Sequence, residues 1–166
     1  MSGLRIVPMQ EHHLDALAKL EKACFSTPWT RAGLAEELEN PAAVFAVAEQ
    51  NGVTAGYAGM TCVLDECYVD NVAVFPQYRR RGIARALMEH LIQAAKARNS
   101  SFLTLEVRAS NTGAIQLYKA LGFRQEGLRR SFYRLPPEDA LILTLRFSKA
   151  GPATVTAQPQ SIKQNN

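Results

Sequence analysis

Residues 68–97 read YVDNVAVFPQYRRRGIARALMEHLIQAAKA. Val69, Val72, Ala73 and Val74 predict a strand, which stops at Phe75-Pro76. Arg79, Arg80 and Arg81 then make a short basic turn before Gly82. Beyond it Ile83, Leu87 and Leu91, with Ala84, Met88, Ile92 and Ala95, recur at helical spacing. The unit is strand, basic glycine turn, helix. The first turn of a helix leaves backbone N–H groups unpaired, and the helix dipole makes that end electropositive. Such an end attracts phosphate. Gly82 has no Cβ, so a ligand can approach the backbone closely. Forked guanidinium donors match phosphate oxygens. The stretch therefore predicts an anion site for a phosphate-bearing ligand.

The flanking sequence places this unit in a mixed α/β chain. Leu4–Met9 reads as a short strand weakened by Pro8, and 10–25 as a helix with Leu14, Leu17, Ala18, Glu21 and Cys24 at helical spacing. Thr30 is placed to cap a second helix that runs to Asn40-Pro41, with Trp29 and Leu34 as its hydrophobic staple. Residues 43–50 and 53–64 read as strands joined by an Asn51-Gly52 hairpin turn, with Gly56 and Gly59 leaving room for close packing. Asp65-Glu66 turns the chain into the Tyr68 strand. After the long helix, 100–108 alternates, with Leu103, Leu105 and Val107 on one face and Thr104, Glu106 and Arg108 on the other. Ser110 or Asn111 caps a helix carrying Ile115, Tyr118 and Leu121, which Gly122 stops. Residues 123–133 and 140–147 complete the order as two strands around Pro136-Pro137. Residues 1–148 form one domain, and 149–166, polar and rich in Pro, Gln, Thr and Ala, read as a disordered tail.

Composition narrows the function classes. The chain has 166 residues, 47% of them apolar and 20% charged, enough for one domain with a real core. A net charge of +4 suits a polyanionic ligand or an RNA-rich setting, and equally a mildly basic protein with neither. Cys24, Cys62 and Cys67 are odd in number and lack metal-like spacing, so they read as reduced thiols of a cytoplasmic protein without a metal site. Residues 1–10 lack the apolar core of a signal peptide, and no run reaches the length of a membrane span.

Three phosphate motifs compete for the turn. A P-loop requires a lysine and a hydroxyl after its last glycine, and neither follows Gly82. A dinucleotide turn requires three glycines where this one has a single glycine. The pattern Gln/Arg-x-x-Gly-x-Gly/Ala is met by residues 79–84, RRRGIA, between a strand and an amphipathic helix. With FSTPW (25–29), VLDE (63–66), NVAV (71–74), LEVRASNTGAIQLYKALGF (105–123) and RRSFY (129–133), the layout resembles the GCN5-related N-acetyltransferase superfamily. It is most similar to the ribosomal-protein-alanine N-acetyltransferases, the RimI type. The resemblance runs from Leu4 to Phe147, and Ala84 stands where many members carry glycine.

The resemblance implies a central twisted, mostly antiparallel sheet flanked by helices, and acetyl-CoA as donor. It implies that the backbone of Val72, Ala73 and Val74 pairs with the cofactor. Arg80, Arg81, Gly82, Ile83, Ala84 and Arg85 would wrap its pyrophosphate, with Asn111 also on the cofactor. Glu106 would accept the proton of the attacking amine and Tyr118 would protonate the departing thiolate. Arg129, Arg130 and Tyr133 would shape a peptide groove. Read without the resemblance, Glu106 is an exposed or salt-bridged strand residue with Arg108 as partner, and Tyr118 is a core tyrosine. The implied acceptor is a protein N-terminus, the N-terminal alanine of small-subunit ribosomal protein eighteen. A small amine, an antibiotic or a lysine side chain is the alternative acceptor. A basic nucleic-acid-binding domain is the non-enzymatic alternative, but it lacks the interleaved surface aromatics that such proteins use.

Overall fold

A computed structural model describes residues 3–148. The expected tail lies outside the described residues. The chain runs β1 (Leu4–Pro8), a short 3-10 turn (Glu11–His13), α1 (Leu14–Cys24), α2 (Arg31–Leu38), β2 (Ala43–Gln50), β3 (Val53–Val63) and β4 (Glu66–Val74). A second 3-10 turn (Pro76–Tyr78) leads to α3 (Ile83–Ala97), β5 (Phe102–Arg108), α4 (Thr112–Ala120), β6 (Arg124–Arg134) and β7 (Pro137–Arg146). The seven strands form one sheet in the order β1-β2-β3-β4-β5-β7-β6. Every pairing is antiparallel except β4 with β5. This is the mostly antiparallel sheet that the family resemblance implies, in the mixed α/β order read from the residues. No helix among the described residues is long and apolar enough to cross a membrane.

Period-two alternation supplies a core on each side of the sheet. Ala46 and Ala48 of β2 join Leu87, Leu91, Leu103 and Leu143 in the layer under α3 and α4. Phe45 and Val47 face the other way, into a layer with Leu14, Leu17, Leu20 and Leu34 of α1 and α2 and with Tyr57 and Ala73. Each fully buried leucine contributes about 1.5–3 kcal/mol of transfer free energy. Both layers converge on β4, where Ala73 belongs to one and Val74 to the other.

Several boundaries differ from the sequence reading for local reasons. The first helix starts at Leu14, because His13 Nδ1 accepts the Gln10 N–H at 2.9 Å and tightens residues 11–13 into a 3-10 turn. Thr30 caps α2 as expected, accepting from the Gly33 N–H at 3.0 Å, although the helix stops at Leu38. Leu64, with φ 55°, makes the β3–β4 turn one residue early, so Glu66 belongs to β4. β7 already begins at Pro137. Thr104, expected on a polar face, is buried and shares a hydroxyl contact of 2.8 Å with Thr144.

The cysteines are a correction. Cys62 and Cys67 are disulfide-bonded, and only Cys24 is free among the described residues. The tight hairpin places the two directly opposite in the β3–β4 register, which residue spacing alone does not reveal. The bond closes a short hairpin whose ladder already sets the register, so it removes little chain entropy.

Gly56 fits β4 to β3 most tightly, since a Cβ there would lie 2.6 Å from the Ala73 carbonyl oxygen and 3.1 Å from Val74 Cα. Gly56→Ala is expected to push β4 outward at Ala73–Val74 and destabilise the protein by about 1–3 kcal/mol in urea unfolding. A change below about 0.5 kcal/mol would show that β4 is free to shift.

Candidate active site

The site is built where two neighbouring strands part. β4 and β5 pair in parallel over only three positions, Glu66↔Phe102, Cys67↔Leu103 and Tyr68↔Thr104. Two residues on, the β3–β4 register shifts, with Asn71 opposite Gly59 and Val69 opposite Met60, so Asp70 is the extra residue of a bulge. A bulge bends and twists its strand, and here it carries β4 away from β5. Val72, Ala73 and Val74 pair with β3 at Ala58, Tyr57 and Gly56, and have no strand on their other side among the described residues. Glu106 is correspondingly not hydrogen-bonded beside that segment, as its place in the sequence suggested. It lies two residues past the last parallel pair, where β5 has no β4 partner.

At the C-terminal end of β4 the basic turn adopts an unusual backbone. Arg80 (φ 62°) and Gly82 (φ 76°) are both left-handed, which glycine tolerates and arginine rarely adopts. Gly82 caps α3 without any side-chain hydrogen bond, so the N–H groups of the first turn have no side-chain acceptor at the cap. The arginines divide their tasks. Arg79 is structural, donating from Nε to the Val74 carbonyl at 3.1 Å and from Nη2 to Cys24 Sγ at 3.3 Å. Arg81 lies over the Tyr78 ring at 5.5 Å, and Arg85 pairs with Glu89 at 3.0 Å. Arg80 and Gly82 are exposed, Ala84 is half-buried, and Ile83 is buried and offers only its backbone.

Glu106 is half-buried, and burial raises its pKa against the lowering pull of Arg129. Arg129 Nε stands 3.5 Å from Glu106 Oε1. The partner is thus Arg129 rather than Arg108. Arg108 is spent on the β6–β7 hairpin, donating to the Leu135 and Pro136 carbonyls at 2.9 Å each and pairing with Glu138 at 3.4 Å. Its guanidinium also covers the Tyr133 ring at 4.2 Å. Burial pushes the Tyr133 and Tyr118 hydroxyls up to about 12, with Glu106 adding to the first and Tyr133 to the second. Glu106, Tyr133 and Tyr118 therefore form one electrostatically connected group. Asn111 caps α4, accepting from the Ala114 N–H at 3.2 Å, so it and not Ser110 is the cap. Arg130 is exposed on β6.

Sequence reasoning missed one residue. Glu21 is fully buried in α1, with Oε1 accepting from the Trp29 N–H at 2.9 Å and from Asn71 Nδ2 at 2.9 Å. The Tyr57 hydroxyl also bonds its carboxylate. Glu21 thus ties the 25–29 loop to the bulged part of β4. The Ser26 hydroxyl ties the same loop to the Leu135 carbonyl at the hairpin tip. The signal was an acid on the apolar stripe of α1, in phase with Leu14, Leu17 and Cys24.

The trio His12, His13 and Glu49 does not fit a metal ion. His13 Nδ1 accepts a backbone N–H, which assigns the ring proton to Nε2, 2.8 Å from Glu49. A metal at Nε2 would require an anionic ring. The His13 ring donates this proton to the Glu49 carboxylate instead.

Comparison with known proteins decides the family. The model of the Acetyltransferase (GNAT) family matches residues 14–123. The chain belongs to this family. It is 39% identical over 145 residues to the ribosomal protein bS18-alanine N-acetyltransferase of Escherichia coli, covering 86% of this chain and 97% of that one. It is 36% identical over 136 residues to a protein of Bacillus subtilis named as a putative enzyme of the same kind, covering 81% and 90%. The crystal structure of the Escherichia coli ribosomal-protein-S18-alanine N-acetyltransferase superposes with a TM-score of 0.83 at 37% identity, covering 92% of this chain and 99% of that one.

Burial raises the pKa of Glu21, so the folded state holds its proton more tightly than the unfolded chain does. The stability this gives is complete below the ordinary carboxylate value and is lost as pH rises through the raised one. Glu21→Gln is therefore expected to gain stability relative to the parent as pH rises above the ordinary carboxylate range in urea unfolding. A difference that stays constant with pH would contradict this.

Proposed function

We propose that the protein transfers the acetyl group of acetyl-CoA to the N-terminal α-amine of a protein, the N-terminal alanine of ribosomal protein bS18 being its acceptor in the cytoplasm. The observation that carries this reading is the opening between β4 and β5. It brings together an unpaired strand edge, a basic helix start with no side-chain cap, and a half-buried carboxylate on the neighbouring strand. The backbone of Val72, Ala73 and Val74 receives the amide-bearing arm of the donor. The turn Arg80–Arg85 receives its pyrophosphate, through N–H groups at Gly82, Ile83 and Ala84 and through guanidinium charge. Asn111 fixes the start of α4 beside the arm while capping that helix.

The chemistry needs two proton movements. An α-amine with a pKa of about 7.7–8.0 is mostly protonated at neutral pH, by about one unit. Glu106, made more basic by burial, takes that proton. The amine lone pair attacks the thioester carbonyl carbon, and the C–N bond forms. As the tetrahedral intermediate collapses, the C–S bond breaks and Tyr118 gives its proton to the sulfur. A phenol at about 12 facing a thiolate of reference pKa near 8.5 is uphill by about 5 kcal/mol. The thiolate forms in the same poorly solvated place, which raises its basicity too and narrows the gap. Arg129, Arg130 and Tyr133 border the acceptor side, where the Ser26–Leu135 contact bridges loop 25–29 and the hairpin.

The test is acetyl-CoA turnover against peptides beginning with Ala, Ser, Gly and Met, with a lysine-only control. Transfer to the α-amine of the alanine peptide is expected, and transfer confined to lysine or small amines would overturn the reading. Glu106→Gln is expected to lower kcat/KM by about 100-fold at neutral pH and move the profile to higher pH. Tyr118→Phe is expected to lower kcat while the KM for acetyl-CoA stays near its parent value. Parental turnover in either variant removes that residue from the mechanism.

A further inference from the structure

Arg129 reaches Glu106 across an intervening strand, and the sheet is built to allow it. β7 lies between β5 and β6, with Ala140 opposite both Arg108 and Arg129, and Ile142 opposite both Glu106 and Gly127. These six residues share one face of the sheet. Ala140 and Gly127 are small, so the arginine stem has a clear diagonal path over β7 to the carboxylate. Beyond Arg129 the β6 register slips. Four residue steps, from Arg129 to Tyr133, oppose only two on β7, from Ala140 to Glu138. Ser131 takes a left-handed conformation there, and its N–H is held by Asp139 at 2.8 Å. The bulge sets Arg129 and Tyr133 toward β5 together, and Arg129 also lies 5.5 Å from the Phe132 ring.

We infer that Arg129 is the counter-ion of Glu106: it occupies the carboxylate in the free enzyme and yields it to the ammonium of the incoming acceptor. This rests on the reading of Glu106 as the proton acceptor. The exchange replaces one cation by another, so the half-buried carboxylate is never left bare, a state that would be costly. It also changes the strength of the base at the useful moment. With Arg129 in contact, the guanidinium offsets part of the effect of burial, so the carboxylate is a weaker base than it would be without it. Once the guanidinium moves aside, the only cation beside the carboxylate is the ammonium itself, whose charge disappears with the proton it hands over, so no lasting positive charge opposes protonation of Glu106. The proton passes from the ammonium nitrogen to a Glu106 oxygen, leaving a neutral acid and a neutral amine. Arg129 is a positioning residue in this scheme, acting through Glu106 and touching no reacting atom.

Few other groups compete for this role. From β6, Glu106 faces Arg129 and the Tyr133 hydroxyl. β7 presents the uncharged Ile142, and on β5 itself Arg108 is held by Leu135, Pro136 and Glu138. Tyr118 of α4 interacts with Tyr133. On β4, Tyr68 interacts with Glu66 and Asp65, and Asp70 with Thr61 and Glu37.

The experiment measures kcat/KM for an alanine-starting peptide against pH, with the full chain and saturating acetyl-CoA, for the parent, Arg129→Met, Arg129→Gln, Arg129→Lys and Glu106→Gln. The peptide's own titration is common to all, so differences between profiles report the enzyme. Loss of the charge in Arg129→Met or Arg129→Gln is expected to move the acid limb up by about one pH unit. Arg129→Lys is expected to keep it near the parental position. Folding of each variant is checked by urea unfolding, and either neutral variant suffices. An even loss at every pH with the limb unmoved, or a parental profile, would overturn the inference. If Glu106→Gln is impaired while the neutral variants leave the limb in place, this inference alone fails. Parental turnover in Glu106→Gln removes the proton-acceptor reading on which it rests.

Discussion

The parting of β4 from β5 after three paired residues is the constraint on which the rest of the molecule depends. Continued pairing would have satisfied the Val72–Val74 backbone within the sheet and buried Glu106 against a neighbouring strand. The bulge at Asp70 prevents this, because an extra residue on β4 turns the strand just past the last parallel pair. An open sheet edge inside a protein is a liability unless something covers or uses it. Here the edge ends in a basic turn and a helix start without a side-chain cap, so under the proposed function the edge and the positive end of α3 serve one ligand.

The opening needs to be held apart as well as created. Glu21 does this on the β4 side, using Trp29 and Asn71 to tie the 25–29 loop to the bulge. On the other side the Leu135 carbonyl accepts from both Ser26 and Arg108, joining loop, hairpin and β5 at one atom. Arg79 closes the remaining corner by linking β4 to the end of α1. The electrostatics inside follow from one cause. Desolvation is the largest influence on Glu21, Glu106, Tyr118 and Tyr133, and it raises all four. For Glu106 this favours accepting a proton. For Tyr118 it makes the phenol hold its proton more tightly.

Much of this was legible in the sequence because it is written in local patterns. Residues 68–97 give strand, turn and helix directly, and Thr30, the Asn51-Gly52 turn and Asn111 carry their own capping or turn chemistry. What was not legible depends on register between distant strands. The Arg129–Glu106 pair crosses β7, while a linear reading looks to Arg108, two residues from Glu106. The Cys62–Cys67 bond depends on a turn placed at Leu64. Glu21 was visible as an acid on an apolar stripe, but its partners Trp29, Tyr57 and Asn71 come from three other parts of the chain.

Backbone hydrogen exchange with and without acetyl-CoA tests the central claim most directly. If the opening between β4 and β5 holds the donor, acetyl-CoA slows exchange in Val72–Val74 and at Gly82–Arg85 while β1 and β2 are unchanged. Protection confined to other segments, or no change in either stretch at saturating acetyl-CoA, would contradict the account.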